Sequence, residues 1–423
     1  MKLAIFHIAF YAATLPISAQ TVNVPAEWEK QQRVHVAWFG KERRDSVLCR
    51  VIEALQPSVP LTLNIPADSL KPSICLYLSK YRIDTAGIDF VTDRDVDFWT
   101  RDPLFFVTQN DSLKVVCFNY SMYGVYPDIV NEPIPGNIKK IGEYDERLAV
   151  QLKLPVIKSD FVFEGGGIES NGYGTLIIIK EMALQRNPGK TIAEIEAELN
   201  RTLGAKKIIW LKDGLAEDKV QKNFGPFFKN YFGGGANMHI DELCRFVNEG
   251  TVILPQIPKQ ENWQNPVDSI NHFMLEENFR ILSKATTFEG KKIIVYRIPM
   301  PEVSPLLYSF YTESVDMPEM QKFGFKLGDT IHRVPAASYV NFFVSNKVVL
   351  MPRYWKPGVN LLQKQKDEAA KELLQQLFPG RKVVQIYTLP INRGGGGIHC
   401  MTHEQPMVKN SSPNLGFSVM LAD

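Results

Sequence analysis

The sequence predicts a single α/β domain in which a hairpin–helix–strand unit recurs about five times around a common axis. Polar or glycine-rich clusters repeatedly open onto two apolar strands separated by a short polar turn. Segments with helical spacing lie between these pairs and end at breakers, and short apolar strands follow them. In a pseudo-fivefold ring of such units the opening clusters converge on the axis, so residues far apart in sequence meet in one site.

The first unit runs from Trp99 to Val107, turns at Asn110, Asp111 and Ser112, and returns as Leu113–Phe118. The second runs from Phe163 to Ile168, turns at Asn171 and Gly172, and returns as Gly174–Ile179. A third leads from Met238–Asp241 through Arg245–Val247, turns at Asn248–Gly250 and continues as Thr251–Pro255. The fourth is Ser338–Val344, turning at Ser345–Lys347 into Val348–Pro352. The fifth cluster, Arg393–Cys400, has little chain left for a return strand, and the early strand Val34–Phe39 is the predicted partner that closes the ring. Helical spacing is evident over Thr191–Leu203, ending at Gly204, and over Asp367–Leu377, ending at Pro379 and Gly380; the strands Lys207–Leu211 and Val383–Tyr387 follow. Two stretches, Pro258–Phe279 and Pro301–Asp329, interrupt the units and read as loops able to cover the axial site.

Composition narrows the function classes. The chain of 423 residues is 45% hydrophobic and 22% charged, which suits an ordered globular protein. Its 48 basic and 46 acidic side chains are interspersed, without a basic run that could coat a nucleic-acid backbone. Residues 1–20 combine Lys2, an apolar run and the small-residue site Ser18–Gln20, the pattern of a signal peptide cut near Ala19 or Gln20. The remainder, 21–423, is expected to be one domain, exported to the periplasm or released, with no membrane anchor; the oligomeric state is left open. Five cysteines occur without zinc-ligand spacing. Cys49, Cys75 and Cys117 lie in apolar contexts and read as small core residues.

Cys400 differs, because it follows four glycines and His399. Glycines let backbone approach a ligand closely, and a thiolate there could attack an electrophilic carbon. His239 and Asp241 stand two apart, which on a strand places both on one face; alone, such a pair is as easily a mutually satisfied core pair. Asp102, with Trp99 and Arg101, opens the first hairpin. A guanidinium is planar and rich in donors, so opposed carboxylates such as Asp102 and Asp241, with an aromatic face such as Trp99, would suit it. His399 and His403 read as packing or supporting residues.

These residues and motifs resemble those of the agmatine deiminase and bacterial (Porphyromonas-type) peptidylarginine deiminase family, of the pentein or α/β-propeller superfold. The resemblance is carried in order by Trp99–Asp102, Glu164–Ile168 with Asn171–Thr175, Arg186–Pro188, His239–Phe246, Ser338–Asn341 and Gly394–Cys400. It implies Cys400 as nucleophile, His239 as general acid and base, and Asp102 and Asp241 as the carboxylates that grip the guanidinium. It further places Asn341 in the substrate pocket, and Trp99, Arg101, Glu164 and Gly166 are read with it as substrate-binding residues. No cofactor and no metal is implied. The reaction implied is hydrolysis of a guanidinium to a ureido group and ammonia through a covalent thiouronium.

The bacterial peptidylarginine deiminase holds a substrate's C-terminal carboxylate with an Arg-x-Arg pair. Here the corresponding stretch, Phe118–Asp128, contains Tyr120, Tyr123 and Tyr126 but no arginine. Export favours arginine in peptides as the substrate, and agmatine is the alternative. A silent guanidine- or peptide-binding relative is the reading outside enzymes, against which an intact Cys400, His239, Asp102 and Asp241 all argue.

Overall fold

A strand can pair antiparallel on one side, where a tight turn suffices, and parallel on the other, where a long crossover is needed. That arrangement recurs in all six sheets formed by the described residues of the computed structural model, which are 22–260, 263 and 265–408, and five of them follow one plan. The predicted leader, 1–20, lies outside them.

Ser112–Asn119 pairs antiparallel with Phe106–Gln109 and parallel with Val156–Val162. Thr175–Ile179 does the same with Glu169–Ser170 and Lys207–Leu211. Thr251–Gln256 lies between Arg245–Asn248 and Ile294–Pro299, and Val348–Arg353 between Phe343–Val344 and Lys382–Tyr387. In the fifth sheet Gln31–Ala37 pairs antiparallel with His403–Pro406 and parallel with Leu61–Ile65, so the early strand does meet the C-terminal cluster. Helices Tyr144–Leu152, Ile192–Leu203, Pro266–Lys284, Leu361–Leu377 and Glu42–Leu55 make the five crossovers. The result is an α/β fold of mixed sheets.

Local chemistry fixes several of these joints. Asn110 and Asp111 adopt φ of 53° and 56°, the left-handed pair that a two-residue hairpin turn requires and that short polar side chains tolerate. Thr191 and Glu194 form a reciprocal capping box at the start of Ile192–Leu203. Gly204 ends that helix at φ 70°, where a side chain would also strike the Val22 carbonyl oxygen at 1.8 Å.

Three expectations are corrected. Pro258–Phe279 is not a covering loop: most of it belongs to the helix Pro266–Lys284, which buries Val267, Asn271, Leu275, Asn278 and Leu282 at helical spacing. Its start was marked in the sequence by the cap Asn265 followed by Pro266. Pro301–Asp329 is partly ordered into Tyr308–Tyr311, which joins Thr330–Arg333 and Tyr231–Phe232 in the sixth, additional sheet. Finally, His239 and Asp241 do not lie on a strand; His239 precedes a short 3-10 turn, Ile240–Glu242. The buried Asp218 carboxylate accepts the His239 and Ala236 amides at 2.8 and 2.7 Å, which replaces a strand ladder there.

Apolar cores fill the space between sheets and helices, with Cys49, Cys117 and Cys244 buried among them and Cys75 half-buried; all five cysteines are free thiols. Where the sheets converge the interior is ionic instead. Arg245, 1% exposed, donates to Glu169 Oε2 at 2.7 Å, Glu27 Oε2 at 2.8 Å and the Phe342 carbonyl at 2.8 Å. Removing one partner of such a buried set leaves charges without compensation. Arg245→Met is therefore expected to destabilise the protein by about 3–5 kcal/mol in urea unfolding; a loss below about 1 kcal/mol, the range of exposed pairs, would contradict this account.

Candidate active site

Gly166 marks the point where the chemistry-bearing residues meet. It lies in the tight turn Gly165–Gly167, and a Cβ at Gly166 would lie 2.5 Å from His239 Nδ1, 2.9 Å from Asp241 Oδ2 and 3.0 Å from Asp102 Oδ1. Only the absence of a side chain lets these three groups face one another.

Asp102 is fixed by the Gly166 amide on Oδ1 at 3.1 Å and by the Tyr123 hydroxyl on Oδ2 at 3.0 Å. His239 is fully buried, with Nδ1 3.6 Å from Asp102 Oδ1 and 4.0 Å from Asp241 Oδ1, and Nε2 3.6 Å from Glu164 Oε2. Among the described residues neither imidazole nitrogen nor Asp241 Oδ1 has a hydrogen-bond partner. Buried polar atoms are normally paired, so His239 Nδ1 and Asp241 Oδ1, left open beside Gly166, are what a polar ligand would satisfy, while Nε2 faces Glu164.

The Cys400 loop supplies the other side. Gly397 N–H points at Cys400 Sγ from 3.4 Å, Asn341 Nδ2 lies 3.2 Å from the sulfur, and Asp241 Oδ2 lies 3.5 Å from it. Asn341 also accepts the His399 amide on Oδ1 at 2.9 Å, and a Cβ at Gly397 would lie 2.3 Å from that oxygen. One asparagine thus holds the loop and the thiol together.

Charge in the cluster is tuned by burial and by proximity. Burial works against a charged His239, but Asp102, Glu164 and Asp241 outweigh it and push its pKa up to about 9. Burial pushes Asp102 up to about 7, with His239 opposing and the carboxylates of Asp241 and Glu164 adding. Asp241 ends below the usual carboxylate range, because the His399 contact and His239 overcome its burial. Burial first, then the negative charge of Asp241, Glu242 and Asp102, raises the Cys400 thiol well above its ordinary value.

The predicted site residues divide. Cys400, His239, Asp102, Asp241, Asn341 and Gly166 share the cluster. The Trp99 ring lies beside the loop, 2.9 Å from where a Gly396 Cβ would be. Glu164 sits behind His239, both its oxygens receiving Arg186 Nε at 3.0 and 3.1 Å. Arg101, expected to touch substrate, is turned away: its guanidinium pairs with Glu404 at 2.7 Å and reaches Glu27 at 3.5 Å. Its carboxylate partners lie outside the cluster, so its contribution is structural.

Other contributors carried weaker signals in the sequence. Tyr123 holds Asp102 and stands edge-on to His239 with ring centroids 5.5 Å apart. His399 bridges Asp241 Oδ2 and Glu27 Oε2, 2.8 Å from each. Glu27 lies in a segment with no motif at all.

Above the cluster opens a funnel of about 320 Å³, walled by Tyr120, Val125, Ile138 and Phe224 and bordered by Asp97, with Trp99 and Tyr123 also in its lining. Tyr123 therefore touches both the funnel and Asp102, and Trp99 both the funnel and the loop that carries Cys400. The lining is aromatic and apolar along these walls and charged at Asp97, Lys219 and Arg333.

Similarity to known proteins agrees with this geometry. A family model described as Porphyromonas-type peptidyl-arginine deiminase matches residues 23–406. The agmatine deiminase of Pseudomonas aeruginosa (strain LESB58) is 28% identical over 405 residues, covering 92% of this chain and 96% of that protein. That of Pseudomonas fluorescens (strain SBW25) is 27% identical over 404 residues, with 92% and 96% covered. Among solved structures, agmatine deiminase of Enterococcus faecalis superposes with a TM-score of 0.70 at 21% identity, covering 92% of this chain and 98% of that one. A C. jejuni agmatine deiminase with substrate bound gives 0.67 at 18% identity, covering 93% and 99%. The chain belongs to the Porphyromonas-type peptidyl-arginine deiminase family and is a cysteine-dependent guanidine deiminase, a hydrolase acting on linear amidines.

Proposed function

We propose that the protein converts the guanidinium of an alkylguanidine to a ureido group and ammonia, with Cys400 as nucleophile. The observation that carries this reading is the buried meeting of one thiol, one imidazole and two carboxylates around Gly166. Asp102 and Asp241 accept the guanidinium N–H groups, leaving its central carbon over Cys400 Sγ. Arrival of the substrate cation offsets the carboxylates that hold the thiol neutral and so favours the thiolate.

The thiolate attacks the central carbon, forming a C–S bond and a tetrahedral adduct. The adduct collapses as a C–N bond breaks and protonated His239 gives its proton to the leaving ammonia. Water then attacks the S-alkylthiouronium, and neutral His239 takes the water's proton. The C–S bond breaks to give the ureido product and restore Cys400. The five repeated sheets are read as blades of a pseudo-fivefold propeller around this cluster, and residues 1–20 as an export signal.

Agmatine is the substrate supported by the curated relatives, and Asp97 on the funnel border is a carboxylate that its ammonium would meet. Peptidyl-arginine, placed first on sequence grounds, becomes the second reading. It is favoured by a cavity of arginines beside the funnel, a poor neighbour for a second cation.

Purified protein should release ammonia and ureido product from agmatine or an arginine peptide, and Cys400→Ala should lower kcat by on the order of 10⁴-fold or more. Activity that survives in Cys400→Ala would sink the covalent mechanism. Gly166→Ala is expected to cut kcat/KM at least about 100-fold, because His239 is displaced; circular dichroism should find the fold retained. The pH profile of kcat/KM should rise through about 7 as Asp102 ionises and fall above about 9 as His239 loses its proton. Asp102→Asn should abolish the acidic limb, and an unchanged limb in that variant would assign it to another group.

A further inference from the structure

The additional sheet does more than decorate the repeated units. Together with the loop that leads to Cys400, it encloses a cavity of about 470 Å³ lined by Arg43, Arg333 and Arg393 with Gly233, Gly234, Tyr308, Val334 and Pro335. Gly233, Gly234 and Arg333 also line the funnel, so the two spaces share a wall.

The three arginines come from separate parts of the chain. Arg43 lies in the first turn of the helix Glu42–Leu55, Arg333 ends the strand Thr330–Arg333, and Arg393 immediately precedes the glycine run. All three side chains are exposed, and among the described residues none has a carboxylate within ion-pair distance. Arg393 instead lies over the Tyr308 ring, its guanidinium 5.8 Å from the centroid. The buried arginines behave otherwise: Arg101, Arg186 and Arg245 each pair with glutamate. Among the described residues no acidic one lines the cavity. Three like charges around one space repel one another, and an anion between them would relieve that repulsion while accepting several N–H groups at once.

We infer that Arg43, Arg333 and Arg393 form a carboxylate-binding subsite beside the funnel, which selects guanidine substrates carrying an acidic group. The inference rests on the deimination reading and favours its second substrate, peptidyl-arginine, over agmatine. While the guanidinium occupies the cluster around Gly166, a carboxylate elsewhere on the same molecule enters the arginine cavity. An arginine peptide with a neighbouring aspartate or glutamate, or with a free C-terminal carboxylate, has this chemistry; agmatine does not. The additional sheet, which supplies Tyr308 and Arg333, is thus a specificity element outside the five repeated units.

The test uses the full chain and four substrates: an arginine peptide with neutral flanks and amidated end, the same peptide with glutamate after arginine, the same neutral peptide ending in free arginine, and agmatine. At low salt, kcat/KM is expected to be about tenfold or more higher for at least one carboxylate-bearing peptide than for the neutral one. That preference should shrink as salt is raised. In Arg43→Gln/Arg393→Gln it should fall at least about fivefold, with turnover of the neutral peptide little changed. Titration of the same peptides into Cys400→Ala reads the subsite without turnover and should give the same ranking of affinities.

Equal binding of acidic and neutral peptides, or a preference that survives in the double variant, overturns the subsite. A carboxylate preference in binding without turnover of any guanidine by the unaltered protein supports the subsite while overturning deimination. Inorganic phosphate added as competitor separates a general anion site from one built for carboxylate. Selective inhibition of the acidic peptides only above millimolar phosphate supports a carboxylate site. Tighter inhibition by phosphate overturns the assignment to carboxylate.

Discussion

The carboxylate of Glu27 is the point on which the molecule is hung. Its Oε2 lies 2.8 Å from Arg245 Nη2, 2.8 Å from His399 Nε2 and 3.5 Å from Arg101 Nη2, and its Oε1 accepts the Val344 amide. Arg245 extends the network to Glu169, and Arg101 extends it to Glu404. Segments of all five repeated sheets therefore converge on one buried ionic knot. Taking these charges out of water is costly, and the cost is offset only when every partner is in place. Such a knot favours one relative placement of the sheets over near-neighbours that hydrophobic packing alone would tolerate. Through His399 the same knot reaches Asp241, and through Asp241 the thiol.

The cluster around Gly166 is built with the opposite bias, since it is left incomplete. His239 and Arg186 stand among Asp102, Asp241 and Glu164, and several polar atoms there lack partners among the described residues. Two buried neighbourhoods thus serve different ends. One closes its charge internally and fixes the fold; the other is completed by a planar cation. Keeping the second preorganised depends on groups outside it, including Asp218 behind the His239 amide and Tyr123 against Asp102.

Much of the architecture was legible because it is written in local signals. The turn at Asn110 and Asp111, the capping box at Thr191 and the glycine stop at Gly204 each act within a few residues. Cys400, His239, Asp102 and Asp241 stood out because their surroundings are unusual for a core. What escaped depends on tertiary closure. The placement of Arg101 follows from Glu404, about 300 residues away, and Glu27 gains its meaning only from partners in four other segments. His239 and Asp241 were correctly grouped for a wrong local reason: a buried carboxylate holds them in a turn where a strand was expected. Arg43, Arg333 and Arg393 carry no motif, and only the added sheet brings them together.

The pairing of Gln31–Ala37 with His403–Pro406 has a consequence for how the enzyme comes into being. The Cys400 thiol lies three residues before the strand that makes this closure, so its surroundings are assembled by contacts spanning nearly the whole described chain. Four of the repeated sheets can form from contiguous stretches while the nascent chain is still growing. The fifth must wait for both ends, and contacts of such long sequence separation form slowly. The proposed nucleophile is thereby tied to the last step of folding, and a chain lacking His403–Pro406 has the other sheets but not the surroundings of its thiol.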